Sequence, residues 1–100
     1  MPIVLSVAEK DVLASMKALL VKIRGQSVRN CRTVRAMFAH VILGPRGGLW
    51  KSQEQCFASL RRNSKFAAVL DNKVGLDPAT IAAITEMIIA IIQAIQSKNA

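Results

Sequence analysis

Arg29, Asn30, Arg32, Thr33 and Arg35 lie within a single stretch of the chain, and their side chains share one chemistry. Guanidinium groups make charge-assisted, often bidentate hydrogen bonds to phosphate, while asparagine and threonine can meet phosphates or the edges of bases. Lys22 and Arg24 precede this stretch, and Arg46, Arg61, Arg62 and Lys65 follow it. With Arg29, Asn30, Arg32 and Arg35 they form the set of candidate nucleic-acid contacts. The plainer role for the same cations is to solvate exposed helix faces.

The charge is localised. Of the 100 residues, 14 are basic and 6 acidic, a net +8. Residues 21–65 carry net +9 with Glu54 as their one acid, whereas residues 1–20 are neutral and residues 66–100 carry −1. Such clustering raises the local potential and favours a polyanion: DNA, RNA, an acidic membrane surface or an acidic protein. Bound by charge, a nucleic acid would be held without regard to sequence, unless a helix enters a groove.

Other chemistries find few residues. His40 is the one imidazole, and no serine or cysteine is placed by sequence to act with it as a nucleophile. Cys31 and Cys56 sit in apolar helical patterns without metal-ligand spacing and are expected as buried free thiols. No catalytic residue, metal site or cofactor is therefore expected. The loop Gly44-Pro45-Arg46-Gly47-Gly48 lacks the glycine spacing of a phosphate cradle and is expected as a turn.

The elements that position these residues read as helices, because period-two alternation never persists. A Ser6-x-x-Glu9 capping box opens a first helix over residues 7–24, which Gly25 is expected to stop. Ser27 caps a second helix running to Leu43, whose apolar stripe is Val28, Cys31, Val34, Phe38, Val41 and Ile42. The pair has the outline of a helix-turn-helix with Gly25 in a four-residue turn, although Gln26 and Val21 depart from that pattern. A third segment over residues 50–70 is interrupted at Arg61-Arg62-Asn63-Ser64, with Ser64 a possible new cap. Residues 71–75 form a connector, and Asp77-Pro78 starts a last helix.

That last helix carries isoleucine at Ile81, Ile84, Ile88, Ile91 and Ile95, the three-four spacing of a seam. It is strongly apolar around most of its circumference, so it serves either as the centre of the chain's own bundle or as an interface between copies. The apolar run of about 15 residues falls short of the ~20 needed to cross a bilayer. Pro2 to Val7 is too short and lacks a basic flank for a signal peptide. A cytoplasmic location, or one inside a virion-like particle, follows as the expectation.

The fold expected is all-α: one domain over residues 1–100, a compact bundle of four to five helices. The expected function is nucleic-acid binding by a small basic protein that self-associates or docks through its last helix. The alternative is a structural subunit of a nucleoprotein or virion-like assembly. A peripheral membrane protein with arginines toward anionic lipid comes third.

Overall fold

Side-chain caps divide the chain into its elements. In the computed structural model, which describes residues 7–46 and 48–98, five helices follow one another: α1 (Val7–Gln26), α2 (Val28–Leu43), α3 (Gln53–Arg61), α4 (Ser64–Leu70) and α5 (Pro78–Lys98). No strand occurs among the described residues. The all-α bundle expected from the sequence is present, with the interrupted third segment resolved into two short helices.

Most of the caps are those the sequence announces. Ser27 and Ser52 accept from the backbone N–H three residues on, at 3.2 and 3.1 Å. Asp77 Oδ1 accepts from Ala79 N–H, and Pro78 opens α5 where its missing donor costs nothing. At the break, Asn63 is the cap in place of Ser64, accepting from Lys65 and Phe66. The connector after α4 is a Schellman turn: Asn72 takes φ +50°, Lys73 N–H reaches Ala68 O and Asn72 N–H reaches Val69 O. The Asn72 side chain then holds both backbone groups of Leu76.

Of two expectations about α1, one is untested and one changes. The Ser6 cap lies outside the described residues. Gly25 does not stop the helix; it keeps a negative φ, and Ser27 N–H continues the ladder to Ile23 O at 2.8 Å. One extended residue, Ser27, makes the whole corner between α1 and α2. The four-residue turn of a helix-turn-helix is therefore not formed. Gln26, too polar for such a turn, ends α1 and donates to Thr80 Oγ1 of α5 at 3.3 Å.

The core is built around α2, which packs against each of the other four helices. Its Val34, Met37 and Phe38 are buried with Ile23 of α1, Leu60 of α3, Val69 of α4 and Ile88 of α5. Full burial of such side chains contributes about 1.5–3 kcal/mol each. The isoleucine seam of α5 enters the same core. Ile84, Ile88 and Ile91 are at most 3% exposed, and Ile81 and Ile95 pack against them half-buried. Most of the seam is thus covered within the chain, where α5 packs against α1, α2 and α4. By length and composition alone Pro78–Gln96 would also suffice to cross a bilayer. The apolar stretch is longer than the isoleucine run because Pro78, Ala79 and Thr80 extend it.

The loop between α2 and α3 is tied down by Trp50, whose buried indole N–H donates to Val41 O at 2.9 Å. Its carbonyl accepts from Gln96 of α5 at 3.4 Å. The ring of His40 lies 5.6 Å from that of Trp50 and 6.2 Å from that of Phe66, and its Nε2 meets Ser59 Oγ at 3.0 Å. Chain reversal after α2 falls to Gly44, at φ +75° and ψ −179°, a region that essentially only glycine occupies. A Cβ there would stand 2.8 Å from Gly48 O. Gly44→Ala is expected to lower the unfolding free energy by about 1–3 kcal/mol; an unchanged denaturant midpoint would contradict this account of the turn.

Candidate nucleic-acid interface

The cationic surface originates in the rotation of α2. At ~100° per residue, the stripe expected from the sequence spans Val28 to Ile42 through Phe38, whereas the buried residues are Asn30, Cys31, Val34, Met37, Phe38 and Val41. The buried arc is therefore turned by about 50° from the expected one. Asn30 and Met37 move inside, and Val28 and Ile42 move out. The turn has an electrostatic benefit: Arg35, at the border of the expected stripe, is carried into solvent. Burying an unpaired guanidinium would cost several kcal/mol, more than the valine and isoleucine lose by exposure.

Arg29, Arg32 and Arg35 consequently form an exposed ridge along α2. On one side of it lies a groove against α1, bordered by Lys17, Val21, Arg24, Val28, Arg32 and Arg35. On the other side lies a polar depression toward α4, bordered by Arg29, Thr33 and Lys65. Cations from α1, α2 and α4 are thus gathered along α2 and on both of its flanks.

Among the described residues none of these cations forms an ion pair. From residue 12 to residue 53 the sequence contains no carboxylate. The one ion pair among the described residues joins Arg61 to Asp71 at 2.9 Å, away from the ridge and half exposed, where such pairs contribute little.

Each candidate residue can now be placed. Arg24, Arg29, Arg32, Arg35 and Lys65 are brought together. Lys22 is exposed but points about 160° away from Arg24 around α1. Arg46 and Arg62 are exposed in the loop after α2 and at the end of α3, and neither borders these grooves. Asn30 lines the depression beside Arg29 and Thr33 but is only 8% exposed, and its amide donates to Val74 O at 3.4 Å, fixing the connector to α2. Lys17 was missed, since it precedes the basic segment in the chain, yet its seven-residue spacing from Arg24 puts both on one helix face.

The remaining reactive groups are structural. Cys31 is buried and its thiol points to Leu20 O at 3.4 Å. Burial pushes the Cys56 thiol up to about 11, so it stays protonated near neutral pH. No cluster of three or more potential metal ligands occurs among the described residues.

If Asn30 is a structural residue and Arg32 a surface one, their alanine variants should separate in stability. Asn30→Ala is expected to lose about 1 kcal/mol and Arg32→Ala to stay within about 0.5 kcal/mol of the parent, as measured by urea unfolding. Equal effects would contradict the placement.

Comparison with protein-family models, curated proteins and solved structures finds no match to this chain, so the geometry described above is the basis for a functional reading.

Proposed function

We propose that this chain binds nucleic acid through phosphate contacts, using the arginine ridge of α2 with Lys17 and Arg24 on one flank and Lys65 on the other. The reading is supported above all by the cations on both sides of α2, none of which forms an ion pair among the described residues. Binding is driven by release of the counterions condensed on the polyanion and needs no cofactor. With about six phosphates neutralised, the affinity for duplex DNA falls with salt with a log-log slope near −5. Removing Arg32 and Arg35 together should weaken binding and flatten that slope by about two. A slope of zero between low and physiological salt overturns the proposal.

A second reading, packing between copies in a nucleoprotein-like assembly, is favoured by an apolar surface that shares only Ile91 and Ile95 with the isoleucine seam. Leu43 is 82% exposed, with Ile42 and Leu49 also open to solvent. Ile42 borders an apolar groove with Val12, Met16, Ile91 and Ile95. Under this reading the chain has a solution mass above that of one copy after nuclease treatment, and Leu43→Glu lowers it. A mass of 10.9 kDa for the nuclease-treated parent, by light scattering over a range of concentrations, removes it.

A further inference from the structure

The cationic face also carries information about which form of nucleic acid it fits. We infer that the surface selects duplex DNA over single strands and over duplex RNA; the inference rests on the reading of this face as a phosphate-binding surface.

Two observations carry it. The first is that the cations form two rows and not one. Lys17, Arg24 and Arg35 border the α1 side of α2, while Arg29 and Lys65 border the α4 side. The outer members of the rows, Lys17 and Arg24 on α1 and Lys65 on α4, lie on opposite sides of α2, a helix about 10–12 Å across with its side chains. A duplex presents two phosphate backbones on either side of a groove, and the major groove of B-form DNA is ≈12 Å wide and admits one α-helix. A single strand has one backbone and can satisfy one row at a time. Between the rows α2 exposes Ala36 and Ala39 beside Arg32, small side chains that do not hold the helix off a groove.

The second observation is the placement of the aromatics. Single strands are held largely by stacking of bases on exposed rings, worth about 1–3 kcal/mol per base. All four aromatic residues of this chain are used inside it. Phe38 and Trp50 are buried, and Phe57 and Phe66 pack against the core. None borders the cationic grooves. A single strand would therefore meet charge without stacking. Duplex RNA fails for a geometric reason, since its A-form major groove is too deep and narrow to receive a helix.

The test measures fluorescence anisotropy of the full chain with labelled duplex DNA, single-stranded DNA of the same sequence, and duplex RNA of equal length, at one low salt concentration. Duplex DNA is expected to bind roughly tenfold tighter or more than either competitor, the loss that even one missing stacked base would produce. Lys17→Ala with Arg24→Ala removes one row, and Arg29→Ala with Lys65→Ala removes the other. Either pair should bring the duplex-to-single-strand ratio toward one, and circular dichroism should show the helices intact, because all four side chains are exposed. Single strands or duplex RNA binding as tightly as duplex DNA overturns this inference and leaves phosphate binding standing. A row variant that weakens all polymers equally also overturns it. No salt-sensitive binding to any of the three removes the underlying reading as well.

Discussion

One helix in this protein has to be buried and charged at once. α2 supplies the side chains against which every other helix packs, and it also carries three arginines without a carboxylate in reach. Two penalties fix its rotation. Exposing the stripe from Cys31 to Val41 would forfeit about 1.5–3 kcal/mol per large side chain, and burying a guanidinium without a partner would cost more. Both are satisfied at one setting of the helix, with Val28 and Ile42 left outside. The spacing of three between the arginines then spreads them over an arc of about 120°, because each step falls 60° short of a full turn. One element thus faces α1 with Arg35 and α4 with Arg29, and the two basic flanks are a consequence of how the core is filled.

The other helices are held to α2 by a small number of polar joints that also satisfy backbone groups. The Gln26–Thr80 bond links the end of α1 to the first turn of α5. Asn30 and Asn72 fix the connector between α4 and α5 from two sides, one amide on Val74 O and the other on both groups of Leu76. Each joint lies where a helix ends or a loop passes, the places at which unpaired donors and acceptors would otherwise be left in a dry interior. No side-chain nitrogen or oxygen that is fully buried among the described residues is left without a partner.

Much of this was legible in the sequence because caps and breaks are local. Ser27, the interruption around Asn63 and the Asp77-Pro78 start each act over two or three residues, and their chemistry is independent of what lies across the core. Gly25 was misleading for the opposite reason. A glycine permits a left-handed residue but does not impose one, and here the helical ladder reaching Ser27 prevailed. The isoleucine periodicity revealed a buried face but not its occupant, since a stripe looks the same whether a neighbour comes from its own chain or from another. Asn30 and Lys17 show what residue type and chain position leave out. Residue type placed Asn30 among the contacts although its amide is held by Val74 O, and position along the chain left Lys17 out although it shares a face of α1 with Arg24.

Trp50 is the one tryptophan of the chain, and it joins two helices: its indole meets Val41 O and the imidazole of His40 on α2, and its backbone carbonyl accepts from Gln96 of α5. An indole so enclosed emits at shorter wavelength than one in water. Its fluorescence therefore reports, without any added label, whether the end of α5 is docked on the rest of the bundle.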